Sequence, residues 1–164
     1  MKRMMPPLLA LFLLIASMIQ GTGCRPAETA TEQAIYDPAR DAAMDIDRAI
    51  EEAERTGKRI LLEVGGNWCI WCHEMERFLE VNKDLLSLRD RNYITVKINY
   101  SPENKNEGVL SRYPEISGYP HIFVLEKDGT LIHSQDTAEL EDGKTSYDPG
   151  KFTAFLKRWA PVAK

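Results

Sequence analysis

Apolar residues recur along this chain with two different periods, and the switches between them outline the secondary structure. Ala42, Ile46, Ala49 and Ala53 keep helical spacing, with Asp37-Pro38 as a start signal and Gly57 as a stop. "RILLEV" from Arg59 to Val64 is a short continuous apolar run of strand length, and Gly65-Gly66 ends it. Trp71, Met75, Phe78 and Leu79 return to helical spacing from Cys69 onward, with Glu74, Glu76 and Glu80 on the remaining face and a further turn or two through "KDLLSL". "NYITVKINY" (92–100) alternates as a strand does. A polar, turn-rich stretch follows, with a short helix expected over Glu107 to Tyr113. "HIFVLE" and "TLIHSQ" flank Lys127-Asp128-Gly129, a hairpin signal. Asp148-Pro149 opens a last helix carrying Phe152, Phe155, Leu156 and Trp159, with Tyr147 and Phe152 spaced as a hydrophobic staple. The predicted order is helix, strand, helix, strand, helix, strand, strand, helix.

Ahead of this pattern the chain changes character. Lys2 and Arg3 precede an apolar run from Leu8 to Ile19, and small residues Gly21, Thr22 and Gly23 follow. The run is shorter than the roughly 20 residues a membrane span needs, so residues 1–23 are expected to be a cleaved export signal. Gly-Thr-Gly-Cys resembles a bacterial lipoprotein signal, which implies lipid on Cys24; Arg25 after it, in place of Asp, implies the outer membrane. Ordinary cleavage nearby, leaving Cys24 a free thiol, is the alternative. Residues 24–36 read as a polar tether, and 37–164 as one domain, a length that supports a single core.

The chain carries a formal charge of −4, and removal of the two basic leader residues makes the remainder more acidic still. With no basic cluster, nucleic acid is not an expected partner. Three cysteines are too few for a disulfide-stapled exported fold. One is the lipid candidate, and the other two, three positions apart in "NWCIWCHE", look chemical.

Those eight letters fit two chemistries. Cys69-Ile70-Trp71-Cys72 has thiol-disulfide spacing, and His73 completes Cys-x-x-Cys-His, a haem attachment site. Free cysteine is mostly protonated at neutral pH, and its thiolate is the nucleophile. At the start of a helix, unpaired N–H groups and the partial positive charge favour that thiolate, so Cys69 is the expected nucleophile, open to solvent, and Cys72, one turn deeper, the resolving cysteine.

From about Asp41 to Trp159 the chain resembles the thioredoxin family. Trp68-Cys69-Ile70-Trp71-Cys72 resembles its active site; Glu63, six residues before Cys69, falls on its buried acid; Gly118-Tyr119-Pro120 resembles its cis-proline loop; and "HIFVLEKDGTLI" resembles the hairpin that follows. The resemblance implies an α/β thioredoxin fold, a central mixed β-sheet flanked by helices. It implies that Glu63 accepts the Cys72 proton, that Pro120 is cis, and that the Tyr119 backbone pairs with bound substrate. Trp68 is expected in the apolar surround of the site, with Trp71 exposed for substrate contact. Gly-Gly-Asn-Trp-Cys and the long stretch before Gly118 are more similar to thioredoxin-like proteins of the bacterial envelope than to cytoplasmic thioredoxin.

The haem alternative needs a second axial ligand, and Met75, the last methionine, lies too close to His73 to serve, while His121 and His133 fall in strand patterns. Zinc would need two ligands beyond the pair. No cofactor is therefore expected. The expected activity is thiol-disulfide exchange with protein substrates by a monomer in the bacterial envelope, as reductase or isomerase, recycled by a redox partner. A non-catalytic binding module of the same fold, or a c-type haem carrier, are the alternatives.

Overall fold

The computed structural model describes residues 34–162; residues 1–23, expected to be an export signal, and Cys24 lie outside the described residues. Helix α1 (Ala42–Thr56) starts four residues later than the first signal suggests. Asp41 is its N-cap, with the carboxylate accepting from the Ala43 and Met44 N–H groups. Asp37-Pro38 instead makes a turn, in which Asp37 accepts from the Ala39 N–H through its side chain and from the Arg40 N–H through its carbonyl. Asp-Pro signals a turn as readily as a helix start, and the second aspartate takes the cap. Gly57, at φ 75°, closes the helix with its N–H on the Ala53 carbonyl.

Strand β1 (Arg59–Gly65) is followed by α2 (Ile70–Val81), α3 (Lys83–Asn92) and β2 (Tyr93–Asn99). A single turn of helix, α4 (Glu107–Leu110), stops short of the expected Tyr113. Then come β3 (His121–Leu125), β4 (Leu131–Asp136), a 3-10 turn over Thr137–Leu140, and α5 (Pro149–Arg158). Asp148 caps α5 through the Lys151 N–H, and the Tyr147 and Phe152 rings meet at 5.8 Å as the staple requires.

The strands form one mixed sheet in the order β2-β1-β3-β4, with β1 and β2 parallel and the other pairs antiparallel. Helices cover both faces. Ile60, Leu62, Val64 and Phe123 pack against α1 and α4, while Leu61, Ile122 and Val124 pack against α2, α3 and α5. β1 is therefore apolar on both sides, which is why "RILLEV" reads as a continuous run and not as an alternation.

Glu63 is the exception in that run. It is 1% exposed and lies directly opposite Lys97 in the parallel register of β1 and β2. The Lys97 ammonium donates to Glu63 at 2.5 Å and to Glu76 of α2 at 2.7 Å, and Arg89 of α3 stands 3.8 Å from the other Glu63 oxygen. Burial works against the Lys97 charge, but Glu63, Tyr36 and Glu76 outweigh it and hold its pKa above the ordinary lysine range. For Glu76, burial pushes the pKa up and Lys97 more than offsets this, leaving the carboxyl below its usual range. A buried carboxylate needs such a countercharge, and stripping one partner from a buried pair costs far more than replacing both.

Two outcomes follow from this packing. Lys97→Met lowers stability by about 3 kcal/mol in urea denaturation, whereas the same change in a Glu63→Gln background costs much less. Phe152→Ala, which empties a ring site shared with Phe78, Tyr147 and Phe155, lowers it by about 3–5 kcal/mol in the same assay.

Candidate active site

The end of β1 is stripped of side chains where the site begins. A Cβ on Gly65 would stand 2.5 Å from Cys72 Sγ and 2.7 Å from Tyr36 Oη, so only glycine lets both atoms reach the strand. The chain turns through Gly66, Asn67 and Trp68, held by the Cys69 N–H on the Gly66 carbonyl at 3.0 Å. Cys69 is the N-cap of α2, with extended backbone, and its sulfur accepts the Cys72 N–H at 3.1 Å. The Cys72 N–H, shared with the Cys69 carbonyl at 3.0 Å, is thus aimed at the sulfur that the sequence marks as nucleophile. The cysteines are joined as a disulfide with their Cα atoms 5.2 Å apart.

Cys69 is not open to solvent. It is 4% exposed and Cys72 1%, in a cluster with Tyr36 against which Ile35, Trp71 and Tyr119 pack. The cover comes partly from residues read in the sequence as tether. The side-chain amide of Asn67 binds residues 35 and 36 from both ends, its oxygen accepting from both N–H groups at 2.9 Å and its nitrogen donating to the Tyr36 carbonyl at 2.7 Å. Tyr36 is consequently 1% exposed, and the folded unit begins before residue 37. Neither Tyr36 nor Asn67 stands out in the sequence; the signal available was the apolar pair Ile35-Tyr36 at the end of a polar stretch.

The two tryptophans exchange their expected positions. Trp68 is 54% exposed, donating to the Tyr100 carbonyl at 2.7 Å and meeting Tyr119 edge-on at 5.5 Å. Trp71 turns inward onto Tyr147, with ring centroids 5.5 Å apart. Of the two residues between the cysteines it is Ile70, at 83%, that faces solvent. Counted from the N-cap, Trp71 falls on the apolar face with Met75 and Phe78, so the helical stripe that identifies α2 also draws Trp71 in.

Tyr119 stacks on Tyr100 at 5.0 Å and rests against the disulfide cluster. The Tyr119–Pro120 bond is cis, as the Gly-Tyr-Pro resemblance implies, and the Pro120 carbonyl accepts the Thr137 hydroxyl at 2.5 Å. Glu63 is on β1, two residues before Gly65, buried as expected. Lys97 and Arg89 supply its countercharges and Glu76 shares the Lys97 ammonium; in the sequence Glu76 reads as part of the polar helix face and Lys97 as the polar half of a strand alternation. His73 Nε2 lies 2.9 Å from the Asn67 carbonyl, and the same nitrogen would have to leave that carbonyl to bind iron. His121 and His133 are strand residues on β3 and β4.

The arrangement is a disulfide-bonded cysteine pair at a helix N-terminus, walled by aromatic rings and a cis-proline loop, and can make and break one disulfide. The comparisons agree with this fold. A disulphide isomerase from Xylella fastidiosa Temecula1 superposes with a TM-score of 0.67 at 27% identity, over 77% of this chain and 97% of that one. The C-terminal domain of DsbD from Neisseria meningitidis matches in its oxidised form (TM-score 0.53, 19% identity, 73% of this chain and 96% of that one) and in its reduced form (0.52, 20%, 73% and 96%). Among curated proteins none matches. The profile described as thioredoxin-like matches residues 41–127, more than half of the chain, and the chain belongs to the thioredoxin-like family.

Proposed function

We propose that this protein is a thiol-disulfide oxidoreductase acting on protein substrates in the bacterial envelope, as a reductase or isomerase. The observation that carries the reading is the Cys69–Cys72 disulfide at the N-terminus of α2, with Cys69 as its cap. In the reduced protein the Cys69 thiolate, favoured by the Cys72 N–H and the helix end, attacks one sulfur of a substrate disulfide. A mixed disulfide forms and a substrate thiolate leaves. Cys72 then attacks Cys69 Sγ, the second substrate sulfur departs as a thiol after protonation, and the internal disulfide re-forms with two electrons passed to the substrate. Glu63 takes the Cys72 proton in this scheme, and a dithiol partner returns the electrons.

Trp68 and Tyr119 supply the contact surface, with the backbone beside Pro120 pairing with the substrate chain and Trp71 packed behind it on Tyr147. The similarity to a disulphide isomerase supports isomerase or reductase over oxidant. Export rests on the charged and apolar leader, and attachment to the outer membrane on lipid at Cys24. The protein works as a monomer without cofactor, and its acidic charge suits it to protein partners and not to nucleic acid.

The near-complete cover over Cys69 favours a second reading, in which the fold binds peptide without turnover. An insulin-reduction assay with dithiothreitol separates the two: wild type accelerates precipitation and Cys69→Ser does not, whereas equal rates in both eliminate catalysis by this pair. For the anchor, intact mass of protein from the membrane fraction shows a chain beginning at Cys24 with added acyl mass; an unmodified Cys24 in soluble protein removes the lipid.

A further inference from the structure

Tyr36 has a hydroxyl with nothing to bind. Among the described residues only four buried side-chain polar atoms lack a hydrogen-bond partner, and Tyr36 Oη is the one of them that belongs to the cysteine cluster. A buried phenol ordinarily finds a partner. This one is held in place from several sides. Asn67 fixes its backbone, the Lys97 ammonium lies 5.7 Å from its ring centroid, and the bare Cα of Gly65 admits the hydroxyl and Cys72 Sγ to within 2.7 Å of one point. In the disulfide, Cys72 sulfur is a weak acceptor; as a thiolate it is a strong one.

We infer that Tyr36 is a hydrogen-bond donor reserved for the Cys72 sulfur when the disulfide opens. The inference rests on the oxidoreductase reading above and adds a residue to it. When a dithiol reductant attacks Cys69 Sγ, a bond forms between its sulfur and Cys69, the Cys69–Cys72 bond breaks, and the electron pair leaves on Cys72, where the Tyr36 O–H meets it. In the reverse direction the same contact holds the Cys72 thiolate until it attacks the mixed disulfide. Burial pushes the Tyr36 hydroxyl pKa well above the ordinary tyrosine value, so the group keeps its proton and acts as a donor, not a base. Lys97, Glu63, Glu76 and Tyr147 are the charged and titratable groups that act on it.

Tyr36→Phe keeps the ring, and with it the cover over the sulfurs, and removes only the donor. Reduction of the oxidised protein by dithiothreitol is expected to slow about tenfold, the scale of one hydrogen bond to a charged group. In glutathione buffer the equilibrium constant for reduction falls about threefold, a potential about 15 mV more negative, because the thiol present at neutral pH accepts more weakly than the thiolate. The urea midpoint of the oxidised form does not fall, since no bond is lost there. A reduction rate within twofold of wild type, or a slower rate with an unshifted equilibrium, overturns the assignment. Both measurements read the disulfide itself, so they stand whether or not wild type turns over insulin, and failure of the insulin assay with a slowed Tyr36→Phe overturns the enzymatic reading alone.

Discussion

The site depends on a close approach: a sulfur and a phenol oxygen both reach the last residue of β1 because that residue has no side chain. Every other part of the arrangement is consistent with it. α2 must begin where Cys69 can cap it, so that Cys72 falls one turn in and against the strand. Ile35 and Tyr36 must lie along the outside of the same turn, and the Asn67 amide holds them there. The two central strands beneath, β1 and β3, are buried on both faces, so the floor of the site is part of the core.

Charge is handled separately, one layer down. Glu63 and Lys97 face each other because β1 and β2 are parallel and in register, and Glu76 joins them from α2. The three tie the strand carrying the glycine, the neighbouring strand and the cysteine helix together. Removing one member of such a group leaves an unpaired buried charge, so the group resists rearrangement of the strands and the helix that carry the site.

Most of the fold was legible because its patterns have one reading. The alternation of β2, the continuous run of β1, the Asp-Gly hairpin and the stapled α5 were all visible as periods and caps, and the helix opening at the cysteines followed from them. The failures occur where one pattern serves two purposes. Asp37-Pro38 is both a helix start and a turn, and Asp41 decides between them. Trp71 belongs at once to the redox motif and to the apolar stripe of α2, and packing takes it. Ile35 and Tyr36 look like the end of a polar tether, since nothing local reveals that an asparagine more than thirty residues away binds their backbone. Lys97 and Glu76 are ordinary charges until the register of two strands and the pitch of a helix set the Lys97 ammonium between Glu63 and Glu76. These contacts are long-range, and periodicity within a short window carries no trace of them.

The missing Cβ at Gly65 also constrains how this design can change over evolution. Any side chain at that position competes for the volume now shared by Tyr36 and Cys72, so residues 36 and 65 are not free to drift independently. A lineage that fills one must trim the other, and a relative with alanine or larger at 65 is compatible with this cysteine pair only if its counterpart of Tyr36 has become small or has moved aside.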